Sequence, residues 1–225
     1  MTPWRLAVGS LGAFTALAVA VHLGLLNTLD AIVREWARPH NVWGTSQLRA
    51  DLVVEGMRPV VMAALLGAFT AAYCIQRQSL RPVVFVGGVC LTTVALTLAT
   101  KAMVARPDPH GLIGNEGGSF PSGHMIGVIV ALGIVVMLAQ PPVGRWAWLI
   151  PALAGGLMGA SLLVQAAHWS ADIVGGGLLA AGALAIAAPC WSRWADIRSA
   201  NNQDSATFGM SSTSSLKSVG AVTQT

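Results

Sequence analysis

Long apolar runs separated by short polar stretches dominate the chain. The runs extend from about Leu6 to Leu26, Pro59 to Ile75, Pro82 to Met103, Met125 to Leu138, Ala147 to Gln165 and Ile173 to Cys190. A membrane helix needs roughly 20 mostly apolar residues, so the pattern predicts an all-α, polytopic membrane helical bundle of six transmembrane helices. The first run is longer than a signal-peptide core and lacks a well-placed small-residue cleavage site, so it is read as a retained helix. Ala154-Gly155-Gly156 and Gly175-Gly176-Gly177 crowd the last two runs. Small residues let membrane helices approach closely, which places these two helices in the bundle centre. No internal repeat is visible. Residues 1–198 read as one membrane domain, and 199–225, rich in Ser, Thr, Asn and Gln, as a disordered polar cytoplasmic tail.

Composition agrees with a membrane location. Of the 225 residues, 54% are apolar and only 10% charged, with a mean hydropathy of +0.65. A soluble domain carries about 25% charged residues, so a water-facing surface cannot be covered. The net charge of +4 comes from basic residues scattered singly through short loops, which argues against nucleic acid as a partner. Arg5, Arg77, Arg81, Arg145 and Arg193 fall on one side with little acidic balance, while the other side mixes both signs. By the positive-inside rule both termini are cytoplasmic, and segments 104–124 and 166–172 face outward. Residues 28–38 form either an amphipathic helix in the outer interface or a short solvated helix between spans. Cys74, Cys90 and Cys190 lie in apolar stretches without metal-ligand spacing and are read as packing residues.

Candidate chemistry gathers in the two outward segments. Ser119-Phe120-Pro121-Ser122-Gly123-His124 runs directly into an apolar helix. Helix N-termini present unpaired N–H groups that bind anions, phosphate above all, so Ser122 and Gly123 are candidate phosphate ligands with His124 on the first turn beside them. In His168-Trp169-Ser170-Ala171-Asp172 the two ionisable residues stand four apart. On a helix they would share a face, with Asp172 fixing the His168 tautomer and leaving the other nitrogen as base, nucleophile or metal ligand. Lys101 ends the third span; alone it reads as a snorkelling side chain, and beside the other two motifs as part of a phosphate site. Pro107 and Pro109 break any continuation of that span, and an extended segment there would turn Arg106 towards the site.

Taken in order, Lys101, Pro121-Ser122-Gly123-His124 and His168 with Asp172 resemble the three signature motifs of the type-2 phosphatidic acid phosphatase superfamily, the membrane lipid phosphate phosphatases. The resemblance covers roughly residues 50–190. Its first motif, K-x6-R-P, departs: Asp108-Pro109 occupies the arginine-proline position, and Arg106-Pro107 comes two residues early. Its third, S-R-x5-H-x3-D, keeps Ser161 but has Leu162 in place of arginine. The resemblance implies His168 as phosphoryl-accepting nucleophile, supported by Asp172, and His124 as the acid that protonates the leaving oxygen. Lys101, Arg106, Ser122 and Gly123 would bind the phosphate. No metal or cofactor is implied.

The expected function is therefore phosphate removal from a lipid phosphate or diphosphate (phosphatidate or a polyprenyl phosphate) at the extracytoplasmic face of the plasma membrane. The missing arginines keep two alternatives open: a weakly active or inactive family member that binds a phosphate headgroup, and a phosphotransferase with an acceptor other than water. The partners expected are the lipid substrate and membrane lipids, and a homo-oligomer is compatible with the sequence.

Overall fold

Proline at the first helical turns and left-handed residues at the ends punctuate the chain. In the computed structural model, which describes residues 2–114, 117–140 and 143–219 (from 195 on in backbone alone), Pro3, Pro59 and Pro82 each stand in a first turn, where the missing N–H costs no hydrogen bond. Gln78, Ala105 and Ala166 adopt left-handed conformations and end their helices. The helices are α1 (Pro3–His22), α2 (Asn27–Ala37), α3 (Thr45–Gly56), α4 (Pro59–Arg77), α5 (Arg81–Val104), α6 (Gly123–Ala139), α7 (Leu149–Gln165) and α8 (Ser170–Val219). Short 3-10 turns precede α3 and α7, and no strand occurs among the described residues. The chain divides into two compact units: Met1–Ala188, which holds the bundle, and Pro189–Thr225.

Among the described residues, five stretches are long and apolar enough to cross a membrane: Pro3–His22, Thr45–Arg77, Arg81–Val104, Arg145–Gln165 and Ser170–Trp194. The protein is integral to the membrane. The helix expected as the fourth of six spans, α6, has 17 residues, about 25 Å at 1.5 Å per residue, short of the roughly 30 Å hydrocarbon core. By length, five spans are identified among the described residues, and α6 is a further apolar helix at the short end of the spanning range. The second span also begins earlier than its apolar run, because α3 and α4 follow one another with a break only at Met57–Arg58. α8 continues in backbone to Val219, through most of the stretch that composition reads as a disordered tail; once nucleated, a helix propagates at little cost per residue. The rest of that tail, residues 220–225, lies outside the described residues.

α6 is apolar around its whole circumference and buries Met125, Ile126, Val128, Ile134 and Met137 among its neighbours. It packs against α4 and α7, and α7 packs against α3. A side chain at Gly155 would collide with Ile129 at 2.8 Å, and one at Gly176 with the Ser122 carbonyl at 2.7 Å. At those two positions the glycines permit the close approach expected of them; Gly156, by contrast, meets nothing within 4 Å. α2 is inverted relative to a helix on a soluble protein. Leu29, Ile32 and Trp36 are exposed, while Asp30 is buried.

Candidate active site

The loop 105–122, the 166–169 connection and α2 meet at one end of the bundle, and the first turns of α6 and α8 open there. α5 stops at the left-handed Ala105, so the chain turns and Arg106 points inward, 8% exposed. Its Nη1 donates to Asp172 Oδ1 at 2.9 Å and its Nη2 to Asp30 Oδ2 at 2.6 Å. The Trp169 ring lies over the guanidinium, 5.2 Å from its carbon to the ring centroid, a cation–π contact. The Trp169 indole N–H donates to the Pro107 carbonyl at 2.9 Å. Arg106 does turn towards the site as an extended segment predicts, but its two terminal nitrogens engage carboxylates.

His168 does not sit on a helix with Asp172. α7 ends at the left-handed Ala166 and α8 starts only at Ser170, so His168 occupies the bend between them. Asp172, on the first turn of α8, accepts the Trp169 N–H on Oδ2 at 3.1 Å, the reach-back contact of an N-terminal cap. The same Oδ2 stands 3.5 Å from His168 Nδ1. That separation is longer than an N–H···O hydrogen bond to a carboxylate. His168 Nδ1 and the hydroxyl of Ser122 are buried side-chain atoms without a hydrogen-bond partner. In native proteins such atoms are few and commonly mark functional sites.

Ser122 is the N-cap of α6 and Pro121 precedes the helix, two residues before the first helical position that its ring suits. The Ser122 N–H, expected to be open to an anion, instead donates to the Asp172 carbonyl at 3.0 Å. This bond ties the start of α6 to the start of α8, and the open N-terminal groups begin at Gly123. His124, on the first turn of α6, presents its ring edgewise to His168, centroids 6.0 Å apart. Lys101 is buried, its Nζ donating to the Gly118 carbonyl at 2.7 Å. Asp108 is engaged in its own loop: its Oδ1 accepts the N–H groups of His110 and Leu112, closing a turn there. Leu162, in the arginine position of the third motif, is fully buried in α7.

The structure therefore brings Arg106, Ser122, His124, His168 and Asp172 into one cluster, with Lys101 and Gly123 at the head of an adjoining groove. That groove, about 310 Å³, lies between α4, α5 and α6 and is otherwise lined by apolar side chains, glycine and the threonines Thr93 and Thr97. Both threonine hydroxyls donate to carbonyls one turn back in α5, leaving their methyl groups for the groove. Sequence reasoning missed Asp30 as a member of the cluster. The available signal was an acidic residue among Leu29, Ile32 and Val33 at a membrane boundary, where ionisable groups are costly and usually functional.

The family model of the PAP2 superfamily matches residues 9–196. Among solved structures, the chain is similar to that described as the first transmembrane PAP2 type phosphatidylglycerolphosphate phosphatase from Bacillus subtilis, with a TM-score of 0.70 and 18% sequence identity over 80% of this chain and 93% of that one. At that identity the likeness establishes a shared fold. No curated protein sequence matches the chain. The family match spans most of the sequence, including the two histidine segments and Lys101, and the chain belongs to the PAP2 superfamily.

Proposed function

We propose that the protein hydrolyses the phosphate ester or anhydride of a membrane lipid phosphate through a phosphohistidine intermediate. The observation that carries this reading is two histidine rings, 6.0 Å apart, beside an apolar groove whose polar end is Lys101 and Gly123. A phosphate between the rings would touch both, and a hydrocarbon chain attached to it would run down the groove. His168 Nδ1 faces Asp172, so Nε2 is the attacking atom. It forms the P–N bond as the bond from phosphorus to the lipid oxygen breaks, and that oxygen takes the proton of His124. Water then attacks the phosphohistidine and loses a proton to His124, releasing phosphate and free His168. Charge on the phosphoryl oxygens is met by Lys101, the Ser122 hydroxyl and the first-turn N–H groups from Gly123 on. Such preorganised donors supply most of the stabilisation in phosphoryl transfer. Arg106 contributes by fixing Asp172.

The bias of arginine towards the other loops supports an extracytoplasmic site with both termini in the cytoplasm; the plasma membrane is the location we propose. The exposed Leu29, Ile32 and Trp36 of α2 support its lying in the outer interface. One observation favours weak activity: with Leu162 buried in the core, α7 offers no guanidinium at that position. Phosphate release by the purified protein across a panel of lipid phosphates tests the proposal. His168→Ala should abolish release while the protein stays folded and inserted, and turnover at the wild-type rate would refute the mechanism.

A further inference from the structure

We infer that Asp30, on α2, is a positioning residue of this site: it holds Arg106 and the first turn of α8 so that Asp172 faces His168. The contact is independent of the reaction, while its consequence for turnover rests on the phosphatase reading above. Asp30 is 1% exposed. Its Oδ2 accepts Arg106 Nη2 at 2.6 Å, and its Oδ1 accepts the Ala171 N–H at 2.9 Å and the Ser170 hydroxyl. One carboxylate thus joins three segments of chain: α2, the loop after α5 and the start of α8.

Two physical demands meet there. The first-turn N–H groups of α8 need acceptors from outside the helix, and Asp30 supplies one from 141 residues earlier in the chain. A guanidinium is a planar fork, so fixing Nη2 fixes the direction of Nη1. With Nη2 on Asp30, Nη1 reaches only Oδ1 of Asp172. Oδ2 is then left to the Trp169 N–H and to the side of His168. Without the charge at Asp30, Arg106 would face Asp172 alone and could grip both of its oxygens, drawing Oδ2 away from the imidazole. Asp30 touches neither histidine and acts through Arg106 and α8.

Asp30→Asn and Asp30→Glu separate these roles. The asparagine carbonyl can still accept from Ser170 and Ala171, but its NH2 group opposes the Arg106 donor. The longer glutamate restores the charge. With phosphatidate in detergent micelles, Asp30→Asn should lower kcat about tenfold or more with KM within about twofold of wild type, and Asp30→Glu should fall between the two. A second measurement needs no turnover: the rate at which diethylpyrocarbonate modifies His168, followed by mass spectrometry. It should slow at least about threefold in Asp30→Asn while exposed His40 reacts as in wild type, since imidazole nucleophilicity follows its carboxylate partner. An unchanged kcat with unchanged His168 modification overturns the inference, and so does a raised KM at full kcat, which would make Asp30 a substrate contact. Slowed modification of His168 in a protein with no phosphatase activity would refute the phosphatase reading and leave the role of Asp30 standing. If Asp30→Asn does not fold, Asp30→Glu decides: wild-type kcat and wild-type His168 modification overturn the inference, and reduced values support it.

Discussion

The two flanks of α6 differ in how their helices meet it. Towards α7 and α8 the helices touch through glycine, and half of the most apolar stretch of α8 is buried, 50% against 22% for α5. On the other side α4 packs on α6 while α5 touches it little, Val94 and Leu98 of α5 are exposed, and the groove descends from Lys101 between the three helices. The glycine-packed flank carries His124, His168 and Asp172 at its end, with an apolar cavity of about 500 Å³ further along between Ile129, Pro151 and Leu184; the flank towards α5 carries the groove that, on the proposed reading, takes the lipid chain. Catalytic groups need geometry held to fractions of an ångström, which tight packing supplies, whereas a hydrocarbon tail needs volume and little else. Disturbance of the glycine-packed flank should therefore damage the protein for every substrate. Disturbance of the flank towards α5 should discriminate between substrates by their tails.

The sharpest break of the glycine-packed flank is Arg106→Ala. It removes the cation between two buried carboxylates, and breaking such a pair typically costs about 3–5 kcal/mol. Stability in detergent should fall by that order and phosphate release should vanish. Retention of both would show that Asp30 and Asp172 do not depend on it. Next in size is Gly176→Ala, whose Cβ would stand 2.7 Å from the Ser122 carbonyl, a backbone atom that cannot swing aside. Overpacking of this kind costs about 1–3 kcal/mol, and displacement of His124 with the start of α6 should lower turnover as well. Gly156→Ala is its control, with nothing within 4 Å of the new methyl group. It should be neutral or slightly stabilising in both stability and activity.

On the flank towards α5, Val94→Trp should fill the groove without disturbing the histidines. A loss of about tenfold in kcat/KM, or about 1.4 kcal/mol, is expected for a long-chain lipid phosphate and little change for a dihexanoyl analogue. Equal loss for both would mean that the groove does not take the tail. The smallest effect belongs to Asp108→Ala. Near a phosphate, Asp108 would be repulsive and its removal activating; closing its own turn instead, it should cost about 0.5–1.5 kcal/mol of local stability and leave kcat within a few-fold of wild type.

The long apolar helices, their approximate limits and the two histidine segments were legible because each depends on neighbours in sequence, whereas α3, with its mixed polar and apolar residues, was not. Apolar runs mark spans wherever they occur, and Pro121-Ser122-Gly123-His124 shows its chemistry within a few residues. Local reasoning failed where two adjacent choices were both allowed. His168 and Asp172 have the spacing of one helical turn, yet the left-handed Ala166 starts a bend and the helix begins two residues beyond His168. Similarly, nothing in the residues around Ser122 shows that its N–H will meet the carbonyl of Asp172.

By itself the sequence determined that this chain lives in a membrane, where its helices run, and that two histidines and a lysine belong to one motif set. Only the tertiary structure decided what Arg106 holds, that Asp30 joins it, that Asp108 binds its own loop instead, and that a groove runs between α4, α5 and α6. The physical reason is one of range. Helix formation and hydropathy sum over adjacent residues, whereas a buried ion pair joins groups 76 and 66 positions apart in sequence, as Arg106 does with Asp30 and Asp172. Such a pair forms only once packing has brought both carboxylates to the same guanidinium, in a geometry that offsets the cost of taking them out of water.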